Sequence, residues 1–202
     1  MFAAGAAEFF AELMAARTKG PASSPAIAEV LPGSERELFI CGTNSKSARE
    51  FLRVARAKRT PVFSLPSELV WGAEFTEPAR NAIARRVGTA FKGHPRVVLN
   101  IGLPQMRGAA AARVLTLNLV QLAGAVLRQN DIGYVYAEGG ATAAALVREM
   151  GWERLRVLRE LAPGVARLGV DGNRSMLLTI KPGSYSWPSE VRRAPVSARV
   201  NV

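Results

Sequence analysis

The sequence predicts an α/β fold: a mainly parallel sheet flanked by helices, with a mixed or antiparallel C-terminal portion. Three observations predict it. Between residues 37 and 150, short apolar runs alternate with longer segments whose apolar residues recur at helical spacing, and parallel strands need crossover connections of this kind. The run Pro95 to Gly102 (PRVVLNIG) is rich in branched residues and closed by glycine, a strand signature. After Gly151 the pattern changes to strand candidates separated by Pro163-Gly164 and Asp171-Gly172-Asn173, turn sequences that suit hairpins or short loops.

Taken in order, residues 1–20 read as an amphipathic helix. Glu8 and Glu12 interrupt its apolar run and no basic region precedes it, which argues against a secretory signal. ELFICG (Glu37 to Gly42) is a strand, and SKSAREFLRVARAK is a helix that Ser45 or Ser47 is placed to cap. TPVFSL is a second strand, Glu77 to Phe91 a helix, and PRVVLNIG a strand. A long helix from about Gly108 to Asn130 follows; Arg113, Asn118, Gln121 and Arg128 fall inside it, so a core helix is expected rather than a membrane span. IGYVYAE is a strand, Ala141 to Met150 a helix, and LRVLREL and SMLLTIK are strand candidates. The tail from Val191 to Val202 carries little signal. With no internal repeat or low-complexity linker, residues 1–202 are expected to form a single domain.

Composition narrows the function classes. At 202 residues, 49% hydrophobic and 21% charged, the chain can bury a substantial core. Cys41 is its one cysteine and His94 its one histidine. That count excludes an internal disulfide and a Cys/His zinc cluster, leaves a Ser/His/Asp hydrolase without support, and points to a reducing, cytoplasmic setting. The formal charge of +11, from 27 basic and 16 acidic residues, attracts polyanions and phosphates alike. The arginines are scattered, and neither a nucleic-acid-binding motif nor a groove-reading element accompanies them, so nucleic acid is not the expected partner.

Neither GxxxxGK[ST] nor a helix-opening GxGxxG is present. Three other loops each join an apolar run to glycine and hydroxyl residues: CGTNSKS (Cys41 to Ser47), GGAT (Gly139 to Thr142) and IKPGSYS (Ile180 to Ser186). Glycine admits a ligand to the backbone, hydroxyls donate to phosphate oxygens, Lys181 adds positive charge, and a glycine-opened helix presents bare N–H groups and the positive end of a dipole. In a parallel sheet, the loops at Gly42, Gly102 and Gly139 are expected to converge beyond the carboxyl ends of the strands. A carboxylate such as Glu138 is placed to hold magnesium through waters.

In their order, these motifs resemble the C-terminal, nucleotide-binding portion of the four-carbon acid sugar kinase family, which includes threonate and erythronate kinases. That family carries a G-S-x-S strand-to-helix loop, a later G-G-x-T loop, an E-(I/L)-x-P-G-V segment and a strand ending in K-x-G-x-F-G. This chain has CGTNS at Cys41 to Ser45, GGATA at Gly139 to Ala143, ELAPGV at Glu160 to Val165 and IKPGSYS at Ile180 to Ser186. The opening FAAGAAEFFAEL is also similar to the family's G-S-A-G-L-A helix start.

The resemblance implies an ATP/ADP site lined by Gly42, Thr43, Ser45, Gly139, Gly140, Ala141, Thr142, Lys181 and Gly183, with Mg2+ accompanying the nucleotide. It also implies that the sugar acid and the catalytic aspartate belong to an N-terminal domain or subunit outside these 202 residues. On that expectation the chain binds adenine nucleotide without being a complete kinase, spans no membrane, and is compatible with a homo-oligomer. Departures from the pattern are Thr43, Ala141, Ala143 and the sequence GSYS. They favour contacts through the backbone over contacts through side chains, and they leave a non-catalytic nucleotide- or metabolite-binding module as the second reading.

Overall fold

A computed structural model describes residues 32–71, 73–102 and 109–193. The expected helix at residues 1–20 and the tail beyond Arg193 lie outside the described residues. Alternation along the strands organises the rest. In β1 (Glu37–Cys41), Leu38 and Ile40 join one core while Phe39 and Cys41 join another, because successive side chains point to opposite faces. Both faces are therefore covered, as a parallel sheet requires.

The remaining strands are β2 (Val62–Ser64), β3 (Arg96–Asn100), β4 (Tyr134–Glu138), β5 (Leu155–Ala162), β6 (Val165–Val170) and β7 (Asn173–Lys181). They form one seven-stranded sheet in the order β2-β3-β1-β4-β7-β6-β5. The first five positions in that order are joined by parallel pairs; β6 and β5 close the edge as antiparallel neighbours. This is the predicted class, with Pro163-Gly164 and Asp171-Gly172 forming the two hairpin turns of the antiparallel part.

Helix α1 (Lys46–Ala57) puts Leu52 and Ala55 against Phe39, Val98 and Tyr136. Ser45 caps it, accepting a hydrogen bond from the Ala48 N–H at 3.1 Å, which settles which of the two serines serves. The opposite face is covered by α2 (Glu77–Ala90), α3 (Ala109–Gln129) and α4 (Gly140–Glu149), through Ala84, Val87, Leu119, Leu122, Val126 and Leu146 among others. A 3-10 turn at Ser67–Trp71 and a four-residue helix α5 (Ser189–Arg192) complete the described elements. By length and composition, residues 111–129 of α3 are apolar enough to cross a membrane, contrary to the expectation from the interspersed polar residues. In the structure α3 lays Leu115, Leu119, Leu122 and Val126 into the core and leaves Val114 and Leu117 each 48% exposed.

β1 feeds a helix on one face and its neighbour β4 feeds a helix on the other. The two strands are parallel, and the order in which the chain adds strands across the sheet reverses between them; the crevice beyond their carboxyl ends is the place where such sheets hold ligands.

Candidate functional site

The loops after β1, β4 and β7 meet at that crevice, bringing together all nine residues the sequence singled out. Three of the glycines are demanded by the loops' own packing. A Cβ on Gly42 would lie 2.8 Å from Thr142 Cβ, one on Gly139 would lie 2.9 Å from Thr43 Cγ2, and one on Gly183 would lie 2.6 Å from the same methyl. Gly139 also has φ +96°, which L side chains rarely adopt. Thr43 is thus the peg around which the loops close.

Gly140 differs. A Cβ there would meet nothing within 4 Å, so no neighbour in the fold requires glycine at this position. Gly140 and Ala141 are exposed, Thr142 is buried, and α4 begins behind them. The N-cap residue is Gly139, which makes no side-chain cap. The Ala143 N–H donates to the Gly139 carbonyl at 3.0 Å, leaving the N–H groups before it outside the helical ladder. An uncapped helix start with open space in front is suited to an anion. Gly102, by contrast, follows β3 at the same edge, and a Cβ there would lie 3.7 Å from the Leu65 carbonyl oxygen and 4.0 Å from Ser64 Cβ.

The hydroxyls brace the loops. Ser45 Oγ donates to the Gly183 carbonyl at 2.6 Å and Ser47 Oγ to the same oxygen at 3.2 Å. Thr43 donates to Glu138. Register explains the last contact: Cys41, Glu138 and Lys181 are cross-strand neighbours at the ends of β1, β4 and β7, so their side chains share one face.

Lys181 and Glu138 are 1% and 0% exposed, with Nζ 3.2 Å from Oε2. The ammonium also donates to the Pro182 carbonyl at 3.1 Å and lies 5.1 Å from the Trp187 ring centroid. The charge predicted for the phosphate loop is therefore spent inside the fold. Burial raises the Glu138 carboxyl above its ordinary range, against the Thr43 hydrogen bond and the Lys181 charge. Burial lowers the Lys181 ammonium, against the Glu138 charge. Cys41 is pushed up by burial and by Glu138.

The residues fit a phosphate better than a metal. Glu138, the carboxylate expected to hold magnesium through waters, is fully enclosed. Among the described residues, no group of three or more His, Cys, Asp or Glu side chains is placed to hold a metal.

Sequence reasoning missed Trp187, which is 2% exposed and packs edge-on to Phe39 and Tyr136 at centroid distances of 5.6 and 5.7 Å. It also missed the Glu138–Lys181 pair. Part of the signal for the pair was available: two expected strands, IGYVYAE and SMLLTIK, both end in a charged residue directly before a glycine-containing loop, but only the structure shows that they pair in parallel.

A switch-point crevice with an open helix start defines an α/β domain whose loop edge suits an anionic ligand. A family model described as a nucleotide-binding C-terminal domain matches residues 38–185, and the chain belongs to that family. No curated protein matches the chain. Among solved structures it is similar to a DUF1537 domain from Bordetella bronchiseptica, described as a domain-swapped dimer with bound citrate, at 17% identity and TM-score 0.60, covering 78% of this chain and 39% of that one. A Haemophilus influenzae protein of the same DUF1537 family gives 20% identity and TM-score 0.60, covering 88% and 42%. A putative tRNA synthase from Salmonella typhimurium gives 18% identity and TM-score 0.62, covering 80% and 41%. These likenesses concern the fold, and the chain spans about two fifths of the length of each structure.

Proposed function

We propose that this chain is the ATP-binding portion of a cytoplasmic kinase that phosphorylates a four-carbon sugar acid of the threonate or erythronate type. The observation that carries the nucleotide part is the uncapped start of α4, where Gly140 faces open space although its neighbouring glycines are sterically required. The family's description as nucleotide-binding supports it, and so does the motif order from CGTNS to IKPGSYS.

In this reading Gly140, Ala141 and Thr142 seat the phosphates through backbone N–H groups, and Gly139, whose own N–H donates to the Lys181 carbonyl at 2.9 Å, turns the chain into the helix. Gly42, Thr43, Ser45 and Gly183 hold that seat rigid, and Lys181 fixes the ends of β4 and β7 by pairing with Glu138. Phosphoryl transfer asks mainly for positioning and charge neutralisation, and a preformed cradle supplies the first. With Glu138 enclosed, magnesium would find its ligands on the nucleotide, on water or on another domain. The sugar acid and the base that activates it belong to a domain or subunit outside the 202 residues.

Calorimetric titration with ATP, ADP and AMP, alongside a sugar-acid phosphorylation assay, tests this division. ATP and ADP should bind more tightly than AMP, with no turnover by the chain alone. AMP binding as tightly as ATP would remove the polyphosphate cradle, and turnover by the isolated chain would remove the division of roles.

A further inference from the structure

Between α1 and the segment from Ser186 to Arg192 runs a cleft of about 200 Å³. Phe51, Val54 and Trp187 form its apolar wall, and Ser47 and Ser186 line it as well. Ser47 belongs to the phosphate loop cluster: its Oγ lies 2.9 Å from Ser45 Oγ and donates to the Gly183 carbonyl. The cleft therefore runs along α1 from Ser47, beside the loops, to Lys58 and Arg96 at the other end of the strands. Its volume is below the roughly 300–1,000 Å³ of a pocket for a whole drug-sized ligand, so it suits a single ring system.

Two features favour a flat heteroaromatic guest. Phe51 is only partly buried, and its ring lies 6.4 Å from that of Trp187, so an aromatic face borders the cleft. The Trp187 indole Nε1 is buried without a hydrogen-bond partner among the described residues, and a buried donor of this kind calls for an acceptor. Ring nitrogens of a purine are acceptors, and its faces stack on aromatic side chains. Of the charged lining residues, Lys58, Arg96 and Arg192 are basic and Glu50 is acidic, so the lining carries a net positive charge.

We propose that this cleft receives the purine base of the nucleotide, making Phe51 and Trp187 the residues that distinguish a nucleoside polyphosphate from a bare polyphosphate. The assignment rests on the phosphate seat at Gly140 for the orientation of the ligand, but it can be tested separately. Calorimetry on the full chain would use ATP, inorganic tripolyphosphate and adenosine as probes, with variants Phe51→Ala, Phe51→Tyr, Val54→Trp and Gly140→Glu. Losing the stacking face, or filling the cleft, should weaken ATP about 10-fold or more and leave tripolyphosphate within about 2-fold, while Phe51→Tyr retains ATP. Unliganded melting curves establish that each variant folds.

Equal ATP affinity in wild type, Phe51→Ala and Val54→Trp would overturn the base site, and so would tripolyphosphate binding as tightly as ATP. If instead adenosine binds and Phe51→Ala weakens ATP, but tripolyphosphate does not bind and Gly140→Glu has no effect, the base site stands and the phosphate seat falls. Absence of binding by all three probes would overturn both.

Discussion

The buried pair Glu138–Lys181 provides a quantitative test of how the loop cluster is held. At 3.2 Å and essentially zero exposure, the Coulomb attraction at an effective dielectric of about 20 is about 5 kcal/mol. Desolvation costs several kcal/mol per ion, so the intact pair contributes little net stability. Removing one partner leaves the other charge enclosed. Glu138→Gln and Lys181→Met should therefore each lower the unfolding free energy by about 3–5 kcal/mol, while the double variant should lie close to wild type. Urea denaturation of the four proteins reads this directly, with the slope on denaturant confirming that the unfolded states are comparable. Because the ammonium is inside the fold, the double variant should also keep its ATP affinity within a few-fold. Single variants costing under about 1 kcal/mol, or a double variant whose loss equals the sum of the singles, would refute the reasoning.

The closure around Thr43 predicts that Gly183→Ala costs about 1–3 kcal/mol through overpacking, since its Cβ would press on the Thr43 methyl; Thr43→Ser, which deletes that methyl, should recover most of the loss in a thermal melt. At the other end of the same strands, Glu37 pairs with Arg96 at 2.5 Å and accepts from the Tyr136 hydroxyl at 3.3 Å. Burial, outweighing Arg96, raises its carboxyl above the ordinary value of 4.5. The folded state then holds this proton more tightly than the unfolded state, so wild type should lose stability relative to Glu37→Gln as pH rises from about 4.5 through the raised value and run parallel to it above; melts across that range check the sign.

The strands β1, β3 and β4 were legible because a sheet covered on both faces reads as continuous apolar runs, and their glycine endings marked the ligand edge. Strand β6 was not singled out: Arg167 and Gly169 break its apolar run, and only the pairing with β5 and β7 reveals that Arg167 is buried. The nine candidate residues do converge. What local sequence could not separate was the reason for each glycine, since Gly42, Gly139 and Gly183 answer to side chains far along the chain and Gly140 to none. Lys181 looked like a phosphate ligand for the same reason. Its partner is 43 positions away by number and adjacent only through the β4–β7 register.

The central claim is that open N–H groups at Gly140 hold a nucleotide's phosphates, and Gly140→Glu tests it most directly because fold and binding should move in opposite directions. A carboxylate in the first turn of α4 favours the helix dipole by about 0.3–1 kcal/mol and has room, so the unliganded variant should melt no lower than wild type. ATP at about 100 times its dissociation constant should stabilise wild type by about 2.7 kcal/mol, a shift of roughly 5–10 °C for a chain of this size. The variant should show little or no shift, because its carboxylate occupies the seat and repels phosphate. Equal ATP-induced shifts in the two proteins would contradict the account.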